Sequence, residues 1–433
     1  MIKRFLFVLL VFLTVQIHAQ EGTSSPYSFY GIGSLKFKGT VENRSMGGLS
    51  IYTDSIHVNL RNPASYATEN LKVFGDTNRP VKFSVGGSHN SINLKSNSTN
   101  DKTSATTFDY IALSIPMGKF GFGFGLMPYT SVGYKLESYN GEDITNRYKG
   151  SGGVNKAYLS LAYQLAKGLS VGVDANYNFG NIKNSTVAFA YDGDGNLLQY
   201  QSREENRSDL SGLNYNFGLS YKTMVAPKLQ LVSGLTYTPK SNITSQNDRV
   251  FSTILISAST GQEFPVESIQ DVLSADQKKT DLTLPSKFSI GAGIGEPRKW
   301  FAGLEYESQK TSEFKNDFLG STGVVYEDGS RISLGGFYIP DYKSITGYWK
   351  RLVYRAGVRY EKTGLNIQSE SIKEFGISFG VGLPVGRMFS NANIGVELGK
   401  RGTTNNNLVQ ENFVNFQLSL SLNDRWFEKR KYD

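Results

Sequence analysis

The stretch AYLSLAYQLAKGLSVGVDANYNFG, residues 157 to 180, alternates apolar and polar side chains with a period of two on both sides of a three-residue turn. Leu159, Leu161, Tyr163 and Leu165 share one face, and after Ala166-Lys167-Gly168 the face continues through Leu169, Val171, Val173, Ala175, Tyr177 and Phe179. Ser160, Gln164, Ser170, Gly172, Asp174, Asn176 and Asn178 stand opposite. Such alternation is the signature of a strand with one apolar and one polar face. It recurs in about fourteen segments, near 81–89, 106–117, 120–137, 154–165, 169–189, 211–222, 229–238, 286–294, 300–308, 330–339, 351–361, 374–383, 391–398 and 413–422. Connections after the even segments are short, as at Gly118-Lys119, 166–168, 223–228, 295–299 and 384–390, with 340–350 somewhat longer. Those after the odd segments are long and polar, the largest at about 239–285. A soluble β-sandwich also alternates, but it rarely aligns fourteen strands with this rhythm. Tight turns at one end and long loops at the other indicate an all-β, roughly 14-stranded antiparallel transmembrane barrel.

The N-terminus fits export. MIKRFLFVLLVFLTVQIHAQ places Lys3 and Arg4 before an apolar run from Phe5 to Ile17, too short to span a bilayer, so residues 1–20 read as a signal peptide. Cleavage before Gln20 and cleavage before Glu21 both fit. No cysteine is present, which removes an acyl anchor and a disulfide framework. Past the signal no apolar run is long enough for a membrane helix, so a membrane protein here is a barrel, and its expected place is the outer membrane of a Gram-negative bacterium, in contact with its lipids. The net charge of +8 falls by two when Lys3 and Arg4 leave, and its lack of clustering argues against nucleic acid. Past the last alternating segment, Trp426, Phe427 and Tyr432 with Arg425, Lys429, Arg430 and Lys431 read as an aromatic girdle with a basic tail, or as a solvated tail.

A barrel of this size holds water unless something fills it. Residues 21–80 are not strand-like, yet Tyr27, Phe29, Tyr30, Phe37, Met46, Leu49, Ile51 and Tyr52 are too many large apolar groups for a solvated leader. The segment is expected to enter the lumen of the barrel formed by 81–433. Gly31-x-Gly33, Arg44-Ser45-Met46-Gly47-Gly48 and Asn62-Pro63-Ala64 ahead of fourteen strands, with Leu284-Pro285 before the eighth and Pro116 near the first tight turn, resemble the FadL-like outer-membrane transport family over the whole mature chain. The resemblance implies an N-terminal hatch carrying Asn62, Pro63 and Ala64, a third strand that bends to open the wall, and hydrophobic molecules leaving sideways. SPYSFYGIGSLKFKG departs from the usual hatch opening.

The third segment, FGFGFGLMPYTSVGY from Phe120, sets Phe120, Phe122, Phe124 and Leu126 toward lipid and Gly121, Gly123 and Gly125 toward the lumen. Pro128 cannot donate to a ladder and belongs at an edge, bulge or bend, so Pro128 with the three glycines reads as a lateral opening or, alternatively, as a bulge at the membrane rim. In RLVYRAGVRYE, Arg351, Arg355 and Arg359 face the lumen, where they pair with acids such as Asp174, Glu305 and Glu307 or hold an anionic head group.

Histidine occurs only at 18, 57 and 89, which leaves almost no material for a catalytic triad or a His/Cys metal cluster. DGDGN at 192–196 lacks the later glycine and glutamate of a calcium loop and reads as a turn. Neither enzyme chemistry nor a cofactor is expected. The leading expectation is an outer-membrane channel for hydrophobic or amphipathic small molecules. The alternative is an interaction subunit, contacting other outer-membrane proteins, of a secretion or protein-assembly complex.

Overall fold

A computed structural model of the chain describes residues 22–36, 39–54, 56–67, 80–257, 259–270, 272–318, 323–385 and 390–424. The expected signal peptide with its cleavage site, Phe37, and the residues from Arg425 read as a girdle or a tail lie outside the described residues. Fourteen strands form the wall: β1 (Val81–Lys95), β2 (Asn100–Met117), β3 (Phe120–Pro128 and Thr130–Asn140), β4 (Asp143–Ala166), β5 (Leu169–Ala188), β6 (Tyr200–Ala226) and β7 (Leu229–Thr238 and Ser241–Ile256). The second half is β8 (Lys279–Leu284 and Lys287–Glu296), β9 (Trp300–Gln309), β10 (Gly329–Tyr338), β11 (Val353–Ile367), β12 (Glu370–Pro384), β13 (Asn391–Arg401) and β14 (Gln410–Asp424). Each pairs antiparallel with its neighbours in sequence, and β1 pairs with β14 from Val81↔Asp424 to Lys95↔Gln410. The sheet is a closed barrel, the only sheet form without lipid-exposed edges.

The alternation becomes an inside-out wall. Leu159 is 61% exposed and Leu161 43%, while Ser160 between them is fully buried. On β14, Phe416, Leu418, Leu420 and Leu422 point outward, and Gln417, Ser419 and Ser421 are buried inside. An apolar belt of this extent is stable only against an apolar solvent. Among the described residues, no helix is long and apolar enough to cross a membrane.

Several strands run beyond the alternating segments. β2 begins at Asn100, β4 at Asp143 and β6 at Tyr200. The expected 239–285 loop is largely strand: β7 continues to Ile256 in register with β6 (Ser245↔Leu210), turns into a strand at Glu263–Ile269, and β8 starts at Lys279. These extensions carry polar residues on both faces, so the polarity alternation that marks the lipid-facing span fades there while the hydrogen-bonded ladder continues.

Candidate functional site

The described residues between 22 and 67 fold against the inner face of the wall. Thr40 caps a one-turn helix, α1 (Val41–Arg44), through a reciprocal pairing in which Asn43 N donates to Thr40 Oγ1 and Thr40 N to Asn43 Oδ1. The chain leaves α1 through Gly47 and Gly48, at φ 70° and 87°, a left-handed turn that favours glycine. Gly47 also needs its missing side chain for contact, because a Cβ there would lie 2.6 Å from the Val358 carbonyl of β11. Its N–H donates to Ser378 Oγ of β12 at 2.9 Å.

The Asn-Pro-Ala turn is fixed in the same manner. Asn62 Oδ1 accepts from Ala64 N at 3.0 Å, and Asn62 Nδ2 donates to the Leu219 carbonyl of β6 at 3.0 Å. Pro63 presses on Gly172 and Gly218, where any side chain would collide with it. Tyr66 covers Gly121 and Gly123 on β3, and its hydroxyl donates to Tyr158 at 3.1 Å. Gly121 and Gly123 thus mark where Tyr66 of the N-terminal segment meets the wall, its backbone at the first and its ring at the second.

Ion pairs bolt the segment down. Arg61 reaches Glu305 at 2.9 Å and Glu307 at 2.6 Å, both on β9, and donates to the Gly48 carbonyl. Glu305 also accepts from Ser50 N at 2.7 Å, and Glu307 from Arg331 at 2.9 Å and Lys287 at 3.1 Å. Burial opposes the Arg61 charge, but the two carboxylates outweigh it and hold the guanidinium pKa above its ordinary value. Across the lumen, Arg44 pairs with Asp109 at 3.2 Å and Glu397 at 3.7 Å. Asp54 contacts His57 Nδ1 at 2.6 Å; burial pushes its carboxyl up, yet His57 and its hydrogen bonds hold it well below the usual carboxylate range.

A recess opens in the wall beside Pro128. β2 and β3 are paired from Met117↔Phe120 to Ile111↔Leu126, and beyond Pro128 the upper part of β3 no longer joins β2 among the described residues. That edge pairs instead with a two-residue strand of the N-terminal segment, Ser34↔Ser131 and Leu35↔Thr130, and Lys36 N donates to the Tyr129 carbonyl at 3.0 Å. β4 and β5 bend here: Gly152 and Gly153 have φ of 106° and 147°, and Gly180 158°. The recess has a volume of about 350 Å³, and its lining includes Lys36, Thr106, Thr107, Thr130, Ser131, Asn155 and Asn181. Its walls are chiefly polar.

Two further cavities lie at the ends of the lumen. One of about 110 Å³, toward the long loops, is lined by Tyr27, Tyr30, Ile32, Leu284, Phe314 and Tyr326 among others. The other, of about 120 Å³, lies at the short-turn end between α1, Tyr52–Asn59 and the turns after β8, β10 and β12.

Of the residues read as a lateral opening, Pro128 lines the recess. Gly121, Gly123 and Gly125 lie lower, in a part of β3 paired on both sides with β2 and β4. Of the three arginines read as anion contacts, Arg359 is taken up by Glu397 at 2.6 Å, Glu361 at 3.2 Å and Glu374, so it has no capacity left for a free anion. Arg351 and Arg355 line the turn-end cavity. Of the acids, Glu305 and Glu307 meet Arg61, while Asp174 accepts from Ser160 and Asn216. Arg44, Gly47, Gly48, Asn62, Pro63 and Ala64 all sit at contacts between the N-terminal segment and the wall or within its turns. Sequence reading overlooked Arg61 and the Gly152-Gly153 bend; a GSGG run inside an otherwise alternating strand is the signal that marks the bend.

A family model described as BamG matches residues 1–433. No curated protein matches the chain. Among solved structures, the Pseudomonas putida toluene transporter TodX is similar at 15% identity and a TM-score of 0.61, covering 92% of this chain and 100% of that one. A Pseudomonas aeruginosa FadL homologue is similar at 12% identity and 0.58, covering 91% and 100%. The CymD monoaromatic hydrocarbon channel is similar at 15% and 0.54, again covering 91% and 100%. The FadL-like resemblance therefore holds for the fold.

Proposed function

The chain belongs to the BamG family, and on its geometry we propose that it is an outer-membrane barrel acting as an interaction subunit of a secretion or protein-assembly complex. The observation that carries this reading is the chemistry of the recess. Its walls are hydroxyls and amides, and the exposed edge of β3 is already hydrogen-bonded to Ser34 and Leu35. A hydrophobic molecule crossing there would strip water from groups such as Ser131, Asn155 and Asn181, at roughly 1–3 kcal/mol for each polar group left unpaired. The ion pairs of Arg44 and Arg61 support a plug that stays in place. In this reading residues 21–80 are a permanent filling, and the exterior is the working surface. Phe264, Val266 and Ile269, exposed on the strand that projects past β7, are available there. The test is purification from native membranes in mild detergent followed by mass spectrometry. Stoichiometric outer-membrane partners are expected, and a lone monomer would contradict the reading.

One observation favours a second reading, passage of hydrophobic or amphipathic molecules with lateral exit near β3. The loop-end cavity is mainly aromatic and aliphatic, suited to an apolar guest. The fold is also shared with proteins described as a toluene transporter and a monoaromatic hydrocarbon channel. Uptake of toluene by liposomes carrying the barrel, lost on Pro128→Val, would favour this reading over the first.

A further inference from the structure

We propose that the turn-end cavity is a binding site for a small carboxylate carried on an apolar or aromatic body. Arg44, Arg61, Arg331, Arg359 and Arg401 in the lumen each have a carboxylate within ion-pair distance. Arg298, Arg351 and Arg355 have none among the described residues, and all three line this one cavity.

Arg355 is the telling case. It is only 6% exposed, and its hydrogen bond goes to a neutral acceptor, Asn393 Oδ1, at 3.0 Å. A buried guanidinium without an anion is costly, and its planar fork matches a carboxylate. Arg351 brings a buried Nε without a partner, and Arg298 extends from the β8–β9 turn with its guanidinium 5.3 Å from the Tyr342 ring centre.

Two acids share the lining, and neither is within ion-pair distance of the three arginines among the described residues. Asp54 is held by His57, and Glu42 accepts from Asn393 and Ser419 through Oε1 while its Oε2 has no hydrogen-bond partner. Lys222, donating to the Thr53 carbonyl, and Lys82, donating to the His57 carbonyl, add positive charge close by. The local balance remains positive.

Beside polar groups such as Thr40, Asn59 and Asn391, the lining offers an apolar wall of Tyr52, Phe337, Ile339, Tyr342 and Val353. The volume of about 120 Å³ is near the ~150 Å³ at which a cavity takes one benzene ring. A ring or short chain bearing one carboxylate satisfies both the size and the unpaired charge. The cavity lies across the barrel from the recess, between β8 and β13, so filling it requires no passage through the wall.

The test uses the full-length barrel in detergent, with 4-fluorobenzoate followed by fluorine NMR. Saturable binding is expected, weakened at least tenfold by Arg355→Gln and several-fold by Arg298→Asn. The second variant lies on an exposed turn and keeps the fold if the first does not. 4-Fluorotoluene is expected to bind at least tenfold more weakly, and inorganic phosphate to compete poorly. No saturable binding at millimolar benzoate, binding indifferent to both substitutions, or phosphate competing as well as benzoate would each overturn the proposal.

Discussion

Replacing Arg61 by methionine should release the N-terminal segment from the wall without unfolding the barrel. Arg61 is the cation that ties this segment to both Glu305 and Glu307 of β9. Removing one member of a buried pair typically costs about 3–5 kcal/mol. Here the low end applies, because Glu307 keeps Arg331 and Lys287, and Glu305 keeps both hydrogen bonds from Ser50. About 3 kcal/mol raises the population of the undocked segment more than about a hundredfold. The chain has no cysteine, so Val58→Cys, in a buried position beside Arg61, supplies a unique probe. Thiol labelling of Val58→Cys should accelerate by two orders of magnitude when Arg61→Met is added, while the heat-dependent gel mobility of the barrel stays native. Adding Glu305→Gln should recover part of the loss, since it removes one of the stranded charges. Unchanged labelling in the Arg61→Met protein would refute the reasoning that this ion pair holds the segment.

Other perturbations act on the same contacts. Gly121→Val forces a side chain into the space of the Tyr66 carbonyl, so the segment should label or proteolyse readily while the barrel persists. Lys36→Pro removes the N–H that donates to the Tyr129 carbonyl; at about 1 kcal/mol per hydrogen bond, amide exchange at Ser131, paired with Ser34, should rise about fivefold. Asp54→Asn should destabilise the docked segment at pH 7. The folded-state pKa of Asp54 is depressed, so its contribution is complete above the unfolded value near ~3.9 and is lost as pH falls through the folded value. The difference between the two proteins should therefore close only well below pH 4. Pro128→Val should leave toluene permeability of the purified barrel unaltered if the recess carries no hydrophobic traffic.

The lipid-facing span was the legible part of this fold, because lipid outside and polar packing inside impose opposite demands on successive residues. Leu159 and Ser160 report that contrast directly. Where polar residues stand on both faces, as along β7 from Ser241, the contrast fades and the strand reads as loop. Pro128 was legible as a break because its missing N–H is a local property. The fate of Arg359 was not, since it depends on Glu374 and Glu397 of two further strands, whose register no local pattern fixes. Arg61 and Glu305 are likewise joined only by closure of the barrel around the segment.

The central claim is that this barrel works through what it holds on its outside. The direct measurement is the mass of the particle released from native outer membranes in mild detergent, read by native mass spectrometry. The account predicts this chain within a larger assembly of fixed composition. A free monomer that also conducts toluene across liposomes would contradict it.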